Sequence, residues 1–296
     1  MDKPKIYIGT AGWSYKDWIP NFYPKNQSKN FDWLKFYSKY FNVVEVNATY
    51  YAYLNPKIVK GWVEKTEEVE DFLFTIKLHN DFTHKRKYDN RQIDAVNYNL
   101  DILKRNERLG GLLIQFPYSF SYNSSNLEYV NRLIETFGTY ENFVEVRHSS
   151  WENEVAFSYL RENNICLCTI DQPIIGRAVE FEPIITGNTA YIRFHGRNIE
   201  AWKNSINNFG KKQTYEEASE RYKYLYSPGE LVEIEQKIKE VYDKVQKVFV
   251  IMNNHPSSYG VANAFELLHH LKELPKVEIP KNTIAAFPRL GKIATN

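Results

Sequence analysis

Three acids and three fixed cations occupy the same kind of position in this chain: Glu45, Glu145 and Asp171 against Lys77, Arg147 and Arg193, with His195 two residues beyond Arg193. Each lies near the C-terminal end of a strand-like run. In Phe143-Val144-Glu145-Val146-Arg147 the charged side chains share one face and the valines the other, because a strand's side-chain period is two. The same split sorts the other runs. One face is apolar, as in Ile6 and Ile8, Val44 and Val46, or Cys166, Cys168 and Ile170. The other ends in Glu45 and Asn47, Lys77, Gln115, Glu145 and Arg147, Thr169 and Asp171, Arg193 and His195, and Asn253.

Carboxylates among cations suit general acid–base chemistry, with Glu45, Glu145, Asp171 and His195 as candidate catalytic groups. Glu145 beside Arg147 reads as ionised, whereas Glu45, beside Asn47, reads as the acid whose affinity for a proton is open to tuning. Lys77 and Arg193 read as clamps for an anionic or polyhydroxylated ligand. Asn47, Tyr51, Gln115, Arg147, Asn253 and Trp13 complete the expected binding set, and Tyr15 and Trp202 are further candidate walls. Glu145 and Asp171, on neighbouring strands, are candidates for the paired carboxyls of a glycosidase. Arg193, His195, Gly196 and Arg197, with Asn253-Asn254, fit an oxyanion site.

The acids and His195 would also make a hard ligand set for a divalent metal, but the interleaved cations already neutralise the acids. No cofactor is expected. The competing explanation of the whole cluster is an interior ion-pair ladder. It fits poorly as a device for stability, because apolar replacements of buried pairs are often as stable.

The elements that must carry these groups alternate throughout. Strand patterns fall at 5–9, 42–47, 72–77, 111–116, 143–147, 165–170, 190–195 and 247–252. Helix patterns fall between them at 28–40, 56–66, 95–108, 126–137, 152–163 and 230–244, with a closing one at 261–271. About eight such units predict a closed (β/α)8 TIM-type barrel, one domain over residues 1–296, whose C-terminal rim would hold the polar groups. The turn Gly9-Thr10-Ala11-Gly12-Trp13 is not the glycine fingerprint of a doubly wound dinucleotide fold. Residues 196–229 exceed a plain connection and read as an insertion with its own helix. Residues 280–296 read as a C-terminal arm.

Composition narrows the class. A net charge of +2 does not mark a general nucleic-acid binder, although aromatic residues at 16% leave base stacking open as a second reading. No apolar run is long enough for a membrane span. The start Met1-Asp2-Lys3-Pro4 enters a strand without room for a secretory signal. Cys166 and Cys168, the two cysteines, are expected as buried free thiols of a cytoplasmic protein.

The motifs in their order resemble the YecE-like family, catalogued as a domain of unknown function with a TIM-barrel fold. The carriers are Gly9-Thr10-Ala11-Gly12-Trp13-Ser14-Tyr15, Val44-Glu45-Val46-Asn47-Ala48-Thr49-Tyr50-Tyr51, Phe74-Thr75-Ile76-Lys77, Leu112-Leu113-Ile114-Gln115-Phe116-Pro117, Val144-Glu145-Val146-Arg147-His148, Tyr191-Ile192-Arg193-Phe194-His195-Gly196-Arg197 and Met252-Asn253-Asn254. Tyr50-Tyr51 and Met252 depart mildly from the family's phenylalanines. The resemblance implies the barrel and a shared rim pocket. It implies no reaction.

The expectation is an enzyme of hydrolase, lyase or isomerase type with an anion-binding pocket, acting on a phosphorylated or sugar-like small molecule. The alternatives are a nucleic-acid or phosphodiester barrel and a non-catalytic ligand sensor. Oligomeric state is not legible.

Overall fold

The computed structural model describes residues 3–208, 211 and 213–295. The first two residues, positions 209, 210 and 212 of the expected insertion, and the last residue of the expected arm lie outside the described residues. Eight parallel strands close on themselves in sequence order, giving the expected α/β TIM-type barrel. They are β1 (Lys5–Ala11), β2 (Val43–Val46), β3 (Leu73–Lys77), β4 (Leu109–Gln115), β5 (Asn142–Glu145), β6 (Cys166–Asp171), β7 (Thr189–Phe194) and β8 (Lys247–Met252). β8 closes the ring on β1, from Lys5 opposite Lys247 to Thr10 opposite Met252.

Around the barrel run α1 (Trp33–Tyr37), α2 (Ala48–Tyr51), α3 (Pro56–Thr66), α4 (Asn90–Arg105), α5 (Ser124–Phe137) and α6 (Glu154–Glu162). The insertion carries α7 (Ile199–Asn207) and α8 (Tyr215–Ser219), and α9 (Pro228–Lys239), α10 (Tyr259–Leu271) and α11 (Lys281–Ala286) follow. Among the described residues no helix is long and apolar enough to cross a membrane.

Caps explain where the helices depart from the sequence patterns. The helix expected over 28–40 contracts to α1, because the Asp32 carboxylate accepts from the Leu34 and Lys35 amides and fixes the start there. α4 begins earlier than expected, at a capping box of Asp89 and Gln92. The arm is not featureless: α11 and a following turn bury Phe287 and Leu290. Asn282 donates to the carbonyls of Pro20, Phe22 and Tyr23, tying the arm to the other end of the chain.

Two cores follow from the strand alternation. Outward residues such as Ile8, Val44, Phe74, Ile114 and Ile192 pack under the helices. Inward residues fill the barrel floor, where Tyr7 stacks on Phe249 at 4.8 Å and Phe143 on Tyr191 at 4.3 Å. That aromatic floor excludes water from beneath the polar rim.

β6 departs from the expected parity. Cys166, Cys168 and Ile170 point inward, because they pair in register with inward Phe143, Tyr191 and Arg193. Thr169 and Asp171 therefore point outward, Asp171 sharing a face with Phe194. The alternation Cys-Leu-Cys-Thr-Ile-Asp allows either orientation, and pairing decides it. Both cysteines are free and buried.

A buried hydroxyl reinforces the seam between β1 and β2. Tyr37 donates to the Val43 carbonyl at 2.9 Å and accepts from the Thr10 amide at 2.8 Å. Gly9 leaves room for it: a Cβ there would sit 2.7 Å from that hydroxyl and 1.9 Å from the Val43 carbonyl oxygen. Tyr37→Phe would orphan two buried backbone groups, and urea melts should show a loss of about 2 kcal/mol. A loss below about 0.5 kcal/mol would contradict this role for the hydroxyl.

Candidate functional site

The site is built around Arg193, whose guanidinium lies on the aromatic floor at 1% exposure. Two buried carboxylates hold it. Glu45 accepts from Nε at 2.8 Å and from Nη2 at 2.7 Å, a bidentate pair, while Glu145 accepts from Nη1. Tyr191, two residues before Arg193 and on the same face, donates to Glu45 at 2.9 Å and is itself bonded to Thr75 at 2.7 Å. On its other side Glu145 takes Arg147 Nε at 2.9 Å. Arg147 reaches this position because β5 leaves the barrel after Glu145 and the chain pairs with the 177–179 segment, where Val179 donates to the Arg147 carbonyl. Burial alone would raise the Glu145 pKa, but Arg193, Arg147 and Lys77 outweigh it and hold the carboxyl down at about 2.

His195 completes the centre. Its Nε2 lies 3.2 Å from Arg147 Nη2 and 3.4 Å from Arg193 Nη1, and its Nδ1 lies 2.8 Å from the Asn253 amide. Guanidinium groups can only donate, so Nε2 must be the acceptor and Nδ1 must carry the proton. The Asn253 amide therefore turns its oxygen to Nδ1, an assignment made from the bonding pattern. Burial, then Arg147, Arg193, Lys77 and Arg221, pushes the imidazole pKa well below its ordinary value. A lone pair aimed at two cations is a poor proton acceptor.

Lys77 differs from the other cations. Its ammonium sits over the Tyr50 ring at 4.4 Å, and among the described residues no carboxylate lies within 4.0 Å of it. Burial lowers its pKa to about 7, with Arg193 and Arg147 adding to the shift and Glu145 and Glu45 opposing it. His84 stands edge-on to the same Tyr50 ring at 5.1 Å.

The insertion roofs this mouth. Trp202 of α7 lies 6.4 Å from the His195 ring, with the guanidinium of Arg147 6.0 Å and that of Arg221 5.3 Å from its own ring. Arg221 also covers Tyr222 at 4.7 Å, and Tyr222 lies 5.9 Å from His255, which stacks on Tyr15 at 4.4 Å. Three buried nitrogens of this roof have no hydrogen-bond partner among the described residues: Trp202 Nε1, Arg221 Nε and His255 Nδ1. The first two can only donate. Burial holds the His255 pKa down at about 3.

The expected site residues divide accordingly. Glu45, Glu145, Lys77, Arg147, Arg193, His195 and Asn253 come together. Asp171 does not join them. It lies on the outward face of β6, held by Arg197 Nε and Nη2 at 2.8–3.0 Å and by the Tyr226 hydroxyl. It therefore cannot face Glu145 across the barrel as a second glycosidase carboxyl. Gln115 shares the inward face with Glu145 and donates to the Phe116 carbonyl. Asn47 precedes α2 with its side-chain oxygen buried and without a partner among the described residues. Tyr51 stands 76% exposed, and Trp13 packs edge-on against Trp62 at 5.6 Å. Among the described residues no group of three or more His, Cys, Asp or Glu side chains is placed to hold a metal ion. Tyr191 could have been found by parity with Arg193. Nothing in the sequence pattern ties Arg221 or Tyr222 to the mouth.

Comparison with known proteins places the chain. Residues 7–285 match the family model described as protein of unknown function DUF72. The chain belongs to this family. Over 279 residues it is 28% identical to the UPF0759 protein YunF of Bacillus subtilis, covering 90% of this chain and 94% of that protein. Over 144 residues it is 27% identical to the UPF0759 protein YecE of Escherichia coli K12, 48% of each chain. The crystal structure of a DUF72 family protein from Thermotoga maritima superposes with a TM-score of 0.76 at 30% identity, covering 91% of this chain and 98% of that one. A DUF72 family protein from Enterococcus faecalis shares the fold, with a TM-score of 0.76 at 23% identity.

Removing Arg193 would leave two buried carboxylates uncompensated. Arg193→Met should therefore cost about 3–5 kcal/mol in denaturant unfolding, and adding Glu45→Gln and Glu145→Gln should recover part of that loss. No recovery in the triple variant would contradict the ion-pair account.

Proposed function

We propose that the barrel mouth binds an anionic small molecule and supports acid–base chemistry on it, with Lys77 as the group that exchanges protons. The observation that carries this reading is the imbalance of the mouth. Glu45 and Glu145 are both committed to Arg193, and Glu145 also to Arg147, whereas Lys77 and Arg221 have no carboxylate within 4.0 Å among the described residues. The unpartnered Trp202 and Arg221 donors add to that demand for an acceptor. A ligand with carboxylate, sulfate, phosphate or hydroxyl oxygens satisfies these groups, and the aromatic roof excludes water around it.

The roles differ from those expected of the sequence. The carboxylates serve as fixed counter-charges, and the imidazole of His195 is bound to its neighbours. Lys77, with its pKa near 7, is suited to gain and lose a proton at neutral pH.

Sulfate is the test ligand, because its own charge is constant across the range. Lys77 is charged below pH 7 and neutral above it, so sulfate affinity measured by calorimetry should fall as pH rises from 6 to 8. Lys77→Met should weaken binding about tenfold at pH 6, one lost charge-assisted contact being worth roughly 1.5 kcal/mol, and should abolish the pH dependence. The variant should still fold. Removing a half-buried charge whose folded pKa is lowered relieves a cost that the native state bears below pH 7, so its stability at pH 6 should rise by on the order of 1–2 kcal/mol. Equal sulfate affinity in the two proteins would contradict the reading.

A further inference from the structure

The amine of Lys77 has a second capacity beyond proton exchange, and it is carried by geometry. A lysine kept as a clamp is normally paired with a carboxylate. Here the two nearest buried acids are already bound to Arg193. The amine is instead set over the face of Tyr50, at the end of β3, on a side chain of intermediate exposure. Around it stand Arg193 from β7 and His195 just past its end, Glu45 from β2, Glu145 and Arg147 from the β5 end, and His84 beyond Tyr50. This is the environment in which an amine acts as a nucleophile: cations nearby, a dry wall behind, and no fixed counter-ion.

We propose that Lys77 forms an imine with a carbonyl compound that carries an anionic group, so that the reaction class is carbon-acid chemistry through a covalent Lys77 adduct. The proposal rests on the anion-binding reading above. In the step, the lone pair of neutral Nζ attacks the carbonyl carbon, a C–N bond forms as the C=O π bond breaks, and the proton that Nζ then sheds passes to the carbonyl oxygen. The resulting carbinolamine loses its hydroxyl with a second proton as water, giving a protonated imine. One amine and one carbonyl compound yield one iminium ion and one water, with one proton consumed net beyond the neutral amine. The iminium keeps the positive charge on Nζ, where the Tyr50 face already holds it, and draws electrons from the adjacent carbon, which acidifies its C–H bond. Arg147 and Arg221 would take the anionic group. The lowered pKa of Lys77 supports the same picture, since the neutral amine is present at neutral pH.

The test uses the full chain, glyoxylate as a small anionic aldehyde, and cyanoborohydride to reduce any imine to a stable carboxymethyl-lysine. Peptide mapping by mass spectrometry reads the rate at each lysine at pH 7. Lys77 is expected to be labelled at least tenfold faster than any other lysine. Sulfate should suppress that labelling, and the uncharged acetaldehyde should lose the preference. Lys77→Arg should remove the fast phase and leave the other lysines unchanged. Labelling of Lys77 no faster than that of the surface lysines, while sulfate still binds with its pH dependence, overturns the imine and leaves the anion site standing. Absence of both sulfate binding and selective labelling overturns both. Fast labelling of Lys77 that sulfate does not suppress overturns the anion-directed part of the proposal.

Discussion

A single guanidinium buried to 1% exposure sets the terms for the rest of this barrel. Arg193 lies on a floor of stacked aromatic rings and cannot remain charged there without compensation. Glu45 and Glu145 supply that compensation from β2 and β5, and Tyr191 and Thr75 complete the bonding of Glu45. The ion pairs bridge strands across the barrel, so the centre depends on ring closure as much as on any one strand. Glu45 and Glu145, two of the four candidate catalytic groups in the sequence, are in space the counter-charges of Arg193.

The frame leaves a surplus. With both acids committed, Arg147 is shared between Glu145 and His195, and Lys77 and Arg221 face the mouth with no carboxylate within 4.0 Å among the described residues. Burial, then the two guanidiniums, pushes the His195 pKa well below its ordinary value, and its tautomer is dictated by the fact that guanidiniums can only donate. The insertion then supplies the wall opposite: Trp202, Arg221 and Tyr222 in contact with His195 and His255. Site and roof come from distant parts of the chain and meet through aromatic–cation packing.

The barrel was legible because its evidence is periodic: eight apolar runs of strand length alternating with helix patterns. Side-chain parity also brought Glu45, Lys77, Glu145, Arg193 and His195 to one face. It failed at β6, where cysteine, threonine and isoleucine suit either face and only the pairing of Cys168 with Tyr191 and of Ile170 with Arg193 decides. That inversion removed Asp171 from the centre and gave it to Arg197 and Tyr226. The roles of the charges were not legible either. Whether a carboxylate is a base or a counter-ion depends on which cation it touches, and the bidentate contact of Glu45 with Arg193 joins residues 148 positions apart. Arg221 and Tyr222 carry no local pattern and reach the mouth only through the path of the insertion.

The central claim is that the carboxylates of this site are fixed and that Lys77 is the group that titrates near neutrality. Carbon-detected NMR of lysine Cε and glutamate Cδ nuclei, with Lys77→Met to assign the lysine signal, follows both kinds of group in one pH series. The account predicts a Lys77 transition centred near 7, with no Glu145 transition between pH 5 and 8. A Lys77 signal that stays protonated until it titrates at the ordinary lysine value, about 10.4, would contradict it.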